Sequence, residues 1–205
     1  MGRPREFDES RVLDAVIQCF WSKGYEATSI KDLVDNTGIT AASLYNAFGD
    51  KRALFRIALD HYAEHSVGER IQRCERLPPR EAIESFFRDI LNRSLSDPQH
   101  KGCLLVNSAL EMAPHDPEFQ QAITVVLRRI EDFFLRCVKT GQASGSITCE
   151  QPARRLAQHL LAVLMGVRVL ARVRPEKELL YGVVEPALAL LKLTRTVTSS
   201  KSRSS

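Results

Sequence analysis

Apolar residues recur along this sequence at the spacing of a helix and almost nowhere at the spacing of a strand. Leu13, Val16, Ile17 and Phe20 stand at i, i+3, i+4 and i+7, with Arg11, Asp14, Gln18 and Ser22 on the opposite side. A chain patterned this way buries its apolar atoms by stacking helices, because the period-2 alternation that a half-buried sheet requires is missing. The expected fold class is therefore all-α. With 205 residues, 44% of them hydrophobic, there is enough apolar mass for a real core. The longest apolar run, Leu160 to Val167, stops at Arg168, well short of the ~20 residues that cross a bilayer. The residues after Met1 have no apolar stretch of the kind that marks a secretory signal. A cytoplasmic protein without membrane association is expected.

Local signals divide the pattern into helices. Gly24 is placed to end the first. Thr28 and Ser29, with Asp32 at the capping-box distance from Ser29, open a second that stops before Gly38. Thr40 is the N-cap of a third, running from Ala41 to Phe48, and Asp50 caps a fourth whose apolar stripe is Leu54, Phe55, Ala58, Leu59 and Tyr62. After the break at Pro78-Pro79, helices are expected from about Arg80 to Leu95, from Cys103 to Ala113, from Pro117 to about Thr140, from Gln151 to Val173 and from Glu176 to Leu193, with Pro186 kinking the last. The Ser/Thr-rich basic stretch 195–205 is expected to be a disordered tail.

The second and third helices with the turn at Gly38 have the form of a helix-turn-helix, in which the later helix presents its N-terminal residues to the DNA major groove. Short polar side chains are needed there, and Thr40, Ala42, Ser43, Tyr45 and Asn46 supply them. Thr28 and Lys51, at the starts of the flanking helices, are candidate phosphate contacts. Net charge does not drive this. The chain carries +4, yet Met1 to Arg52 holds seven basic residues (Arg3, Arg5, Arg11, Lys23, Lys31, Lys51, Arg52) against eight acidic ones (Glu6, Asp8, Glu9, Asp14, Glu26, Asp32, Asp35, Asp50).

Phe20 with Gly24-Tyr25, Thr28, Ile30, Ile39-Thr40, Ser43-Leu44-Tyr45, Phe48 and Lys51 to Leu54 together resemble the N-terminal signature of the TetR/AcrR family of transcriptional regulators. The stretch Lys101 to Asn107, with Glu111 to Pro117, further resembles a subgroup that includes the repressor of N-ethylmaleimide reductase. The resemblance implies a helix-turn-helix DNA-binding domain over 1–50 and a helical ligand-binding and dimerisation domain over 51–194. It also implies a homodimer on a roughly palindromic double-stranded operator, and a repressor released by a small molecule or by cysteine modification. Carried over by position, Thr28, Tyr45 and Lys51 hold phosphates, while Thr40, Ala42, Ser43 and Asn46 lie on or beside the base-reading surface. Asn46-Ala47 departs from the His-Tyr that is frequent in the family, so base preference does not transfer.

Five cysteines without a CxxC pair exclude a disulfide framework or zinc knuckle. Cys103, after Lys101-Gly102 at a helix start, is the candidate sensor, because a helix N-terminus and a nearby lysine both favour a thiolate. Its alternative is a packing residue, as for Cys19 and Cys137, with Cys74 and Cys149 as surface thiols. Tyr62 and Phe133 are candidates for an apolar effector cavity, with Asn107, Glu111 and His115 as polar anchors. His61 and His65 lie at i, i+4, but Tyr62 stands where the zincin motif needs Glu, so no metal site and no cofactor are expected. Leu156, Leu160, Val163, Leu164 and Val167, then Leu180, Val183, Val184, Ala187, Leu188 and Leu191, form apolar arcs wide enough for a two-helix share of a four-helix dimer interface. The competing function is a small helical enzyme using Cys103 or a histidine, for which no nucleophile, base and orienting acid set is visible.

Overall fold

The structure, a computed structural model, describes residues 7–193. Among these it is helical throughout: α1 (Glu9–Lys23), α2 (Ile30–Thr37), α3 (Ala41–Phe48), α4 (Lys51–Ala63), α5 (Glu69–Cys74), α6 (Pro79–Ser96), α7 (Leu104–Glu111), α8 (Pro117–Ala143), α9 (Ala153–Val173) and α10 (Lys177–Ala189). The arm residues Arg3 and Arg5 and the tail 195–205 lie outside the described residues.

Each of the first four helices starts where its cap is. Asp8 accepts from the Ser10 and Arg11 amides, Ser29 and Asp32 make a reciprocal capping box, Thr40 accepts from the Ser43 amide and Asp50 from the Ala53 amide. The turn between α2 and α3 needs Gly38, whose φ of 72° and ψ of 9° put it in the left-handed region that a Cβ disfavours. Leu33, Leu44, Phe48, Val16 and Phe20 close a small core under α1, α2 and α3.

α4 is not one uninterrupted helix. Glu64–Gly68 forms a π-helical turn that leads into the short α5, a feature with no signal in the apolar pattern. Gly68 lies against the Glu64 carboxylate and the Arg129 guanidinium, which pair at 2.6 Å, and a Cβ on Gly68 would come within 2.4 Å of the Glu64 carboxylate. The larger body is built around the Phe86, Phe87, Phe133 and Phe134 cluster between α6 and α8, where the Phe87 and Phe134 rings stack at 5.7 Å.

α9 is long and apolar enough to cross a membrane by length and composition. Here it packs along α8 and α10, and Leu156, Leu160, Leu164, Val167, Leu180, Val184, Ala187 and Leu191 are all buried within the single chain. Most of the arc expected for a dimer interface is thus monomer core. What stays outside is a second set of apolar residues, Val169 and Val173 on α9 with Leu190 and Leu193 just beyond α10, each 42% exposed or more. Pro186 sits inside the last turn of α10, and the helix ends at Ala189, short of the expected Leu193.

Candidate functional site

Two features of the fold carry chemistry. The first is the outer surface of α3. Leu44 and Phe48 face the core, and this turns Ala42, Tyr45 and Asn46 to solvent, with Tyr45 39% exposed. Thr40 and Ser43 stand at the start of the same surface, their hydroxyls 3.0 Å apart. Lys51, the first residue of α4, lies 4.5 Å above the Tyr25 ring, with its ammonium 3.4 Å from the Glu26 carbonyl. Two other cations of this region, Lys23 and Arg52, are already engaged. Lys23 pairs with Asp32, and Arg52 makes a bidentate contact with Asp116 at 2.8 and 3.1 Å and a further one with Glu118 at 2.6 Å. Thr28 is turned inward: it is buried, its hydroxyl donates to the Gly24 carbonyl, and the residue that caps α2 is Ser29. The Thr28 hydroxyl proton is thus committed within the chain, not presented to solvent at the start of α2 as expected.

The second feature is a partly open cavity of about 310 Å³ lined by α1, the α4–α5 junction, α6, the loop before α7 with the first turn of α7, α8 and α9. Trp21, Tyr62, Phe86, Ile90, Cys103 and Leu164 form much of its wall, and Arg70 and Arg168 reach it from α5 and α9. Cys103 is the residue immediately before α7, in extended conformation, with Gly102 before it at φ 72°. A side chain at 102 would be strained by that φ and would press on Arg172. Burial alone pushes the Cys103 thiol up, but the Arg168 guanidinium, the Val106 amide and the Tyr62 hydroxyl outweigh it and hold the thiol below its ordinary value. Burial raises Tyr62, and the neighbouring Cys103 adds to that.

Residues 12–57 match the family described as bacterial regulatory proteins, tetR family, and residues 79–198 match the tetracyclin repressor-like C-terminal domain. The HTH-type transcriptional regulator YezE of Bacillus subtilis (strain 168) is 34% identical over 93% of this chain and 100% of its own length. The chain belongs to the TetR family. The HTH-type transcriptional repressor ComR of Escherichia coli (strain K12) is 30% identical over 92% of this TetR-family chain and 91% of its own length. Among solved structures, a cysteine mutant of the TetR-family regulator CifR, complexed with a 26-bp double-strand operator DNA, is 34% identical, covers 91% of this chain and 98% of its own, and superposes with a TM-score of 0.81.

Within this TetR-family fold the expected effector residues divide. Cys103 and Tyr62 meet in the cavity, whereas Asn107, Glu111, His115 and Phe133 do not line it. Asn107 donates to the Lys101 carbonyl at 3.0 Å, His115 is exposed, and Phe133 sits behind the wall, packed on Phe86. Glu111 serves another purpose. Its carboxylate accepts from the amides of Tyr25 at 3.0 Å and Glu26 at 2.8 Å, gripping the turn between α1 and α2. α7 therefore runs from Cys103 at one end to a clamp on the N-terminal helices at the other.

The cation that acts on Cys103 is also not the expected one. Lys101 extends away to Gln18 at 2.9 Å and over the Trp21 ring at 4.9 Å, while Arg168, 65 positions after Cys103 in the sequence, supplies the charge. Arg168 was visible only as the residue that interrupts the apolar run ending at Val167, and nothing around Arg70 marks it as buried. Cys74 is buried as well, against the expectation of a surface thiol, because α5 turns it toward α6; burial pushes its thiol up. Cys149 is exposed, and Cys19 and Cys137 are buried, the latter pushed up to about 12 by burial.

Proposed function

We propose that this TetR-family transcriptional regulator is a one-component repressor that holds a roughly two-fold symmetric operator as a homodimer and leaves it when the cavity is occupied or Cys103 is modified. Residues 1–50 read the DNA in this scheme, and 51–194 sense and dimerise. The observation that carries it is α7, with the Cys103 thiol beside Arg168 in the cavity at one end and Glu111 on the α1–α2 turn at the other. A change in packing at Cys103 moves α7, the Glu111 clamp follows, and the two α3 helices of a dimer lose the spacing of half-sites one DNA turn apart. α4 is the second route, since Tyr62 faces the cavity and Lys51 begins the same helix.

On DNA, Tyr45 and Lys51 hold phosphates and Thr40, Ala42, Ser43 and Asn46 stand at base edges. A cytoplasmic location belongs to this reading, because that is where bacterial operator DNA is. The rival reading of a small enzyme using Cys103 or a histidine has no support, as the relatives are named as regulators.

Treatment of the operator-bound protein with N-ethylmaleimide tests the sensing step. The Cys103 thiolate adds to an alkene carbon, a C–S bond forms, the π electron pair moves to the adjacent carbonyl-stabilised carbon, and that carbon takes a proton from water. Release of the wild type but not of Cys103→Ser, with the adduct located on Cys103 by mass spectrometry, is the expected result. Equal release of both proteins, or an adduct only on Cys149, leaves reversible occupancy of the cavity as the mode of control.

A further inference from the structure

Three buried N–H groups have no acceptor among the described residues: Trp21 Nε1, Arg70 Nε and Arg168 Nε. All three side chains line the same cavity. Proteins keep such orphaned donors few, since each forfeits its hydration without recovering a bond, so three around one cavity point to an acceptor that is not part of the chain.

The arginines sharpen this. Arg70 is 3% exposed and makes no hydrogen bond among the described residues. The nearest carboxylate oxygen, on Asp89, is 4.0 Å from its Nε and is held at 2.5 Å by Arg73 instead. Arg168 is 7% exposed and spends one N–H on the Ser94 hydroxyl and one on the Gly102 carbonyl, with no carboxylate partner among the described residues. Asp97, the one carboxylate on the cavity wall, accepts from the Gln99 and Lys101 amides. Burial, with Arg93 and Arg168 close by, pushes Arg70 down to about 10, so the guanidinium is still charged at neutral pH. Two buried guanidiniums thus face a cavity whose remaining wall is largely apolar, Arg168 with only Cys103 and Tyr62 as acidic neighbours and neither with a carboxylate in hydrogen-bond reach among the described residues.

A neutral ligand would leave both guanidiniums without a carboxylate partner, and a bare inorganic anion would leave Phe86, Ile90 and Leu164 unmatched. At about 310 Å³ the space is at the small end of the ~300–1,000 Å³ usual for small-molecule sites. We propose that the cavity selects small organic carboxylates, whose oxygens accept from Arg70 and Arg168 while an apolar body lies against Phe86, Ile90 and Leu164. This rests on reading the cavity as the effector site, and it names the effector's chemical class. It also joins the two modes of control. A bound carboxylate takes the Arg168 charge that favours the Cys103 thiolate, so an occupied cavity protects the thiol from alkylation.

Benzoate, benzamide and inorganic phosphate are the probes, titrated by calorimetry into the full-length protein. Benzoate and benzamide share a shape and differ in charge, so benzoate should bind at least tenfold more tightly than benzamide and than phosphate. Arg70→Met, which removes the buried charge and keeps an unbranched, flexible side chain, should weaken benzoate at least tenfold while retaining a cooperative thermal melt. Should that variant fail to fold, Arg70→Lys and the benzoate-to-benzamide ratio on the wild type still decide. Benzoate should also slow iodoacetamide labelling of Cys103 and leave that of Cys149 unchanged. Absence of benzoate binding, equal affinity for benzamide, tighter binding of phosphate, or an unaltered benzoate affinity in Arg70→Met would overturn the proposal. Operator retention measured on the same samples separates the two readings. Retention without benzoate binding defeats the carboxylate site alone, whereas benzoate binding with operator affinity unchanged supports the site and defeats its role as effector site.

Discussion

The hydroxyl of Tyr62 lies 3.8 Å from the Cys103 sulfur, so a residue of α4 and the residue that precedes α7 share one proton-bearing contact at the cavity wall. Because the tyrosine donates to the thiolate form, the contact favours ionised sulfur and opposes ionised tyrosine. Both helices continue from this point to the DNA-binding head, which makes the pair a place where chemistry at sulfur is felt as position.

The sign of the Cys103 shift sets its pH dependence. A thiol held below its ordinary value keeps its thiolate as pH falls, so the iodoacetamide rate at Cys103 should reach half its plateau at a lower pH than that of a free cysteine. Tyr62→Phe removes one donor to the thiolate and should move the Cys103 midpoint upward, slowing labelling at pH 7 by about three- to tenfold, in line with ~1 kcal/mol for a hydrogen bond. Rates over pH 6–9, read by mass spectrometry, give both midpoints. A Cys103 midpoint no lower than that of a free cysteine would show that Arg168 and Tyr62 do not act on the sulfur.

Lys51→Ala should weaken operator and nonspecific DNA alike and reduce the slope of log affinity against log salt by about 0.9, the share of one phosphate. Substitution of Ser43 or Asn46 should change which sequences are preferred instead. Selection from a randomised DNA library, with titrations at several salt concentrations, distinguishes the two kinds of change. A folded Tyr45→Ala, Lys51→Ala double variant that binds as the wild type does would remove α3 and the start of α4 from the DNA surface.

Glu111→Ala removes an acceptor shared by the Tyr25 and Glu26 amides. One of these is partly buried and the other exposed, so about 1–2 kcal/mol of stability should be lost in urea melts. The larger expectation is functional. Alkylation of Cys103 should release this variant from operator less readily than the wild type, because the head is no longer gripped by the end of α7. Unchanged release would assign the coupling to α4 alone.

Charged substitutions in this exposed apolar set test dimerisation without attacking the core. Val169→Asp with Leu190→Asp should convert a micromolar dimer to a folded monomer in sedimentation, since both side chains are more than 40% exposed in the single chain. Leu160→Asp, by contrast, should unfold the protein, because Leu160 is 1% exposed within one subunit.

What the sequence by itself determined is what short-range physics governs. Caps at Ser29, Thr40 and Asp50, the glycine between α2 and α3, and apolar spacing along each helix act over three or four residues, and the helix starts near these caps, like the exposed face of α3, were legible from them. The α4–α5 junction was not, because an apolar stripe does not register a π turn. Nor were the inward turn of Thr28, the removal of Glu111 to the α1–α2 turn, or the division of the apolar residues from α9 to Leu193 into a buried core and an exposed set. Those depend on which face of a helix meets which neighbour. The cavity is the clearest case: Arg70, Cys103 and Arg168 come together from three separate parts of the chain, and only the packing of α5, α7 and α9 decides that two arginines lose their water while a cysteine gains a cation. Helix pattern is local and additive, whereas the charge environment of a buried group is a sum over whatever tertiary packing brings within a few ångströms.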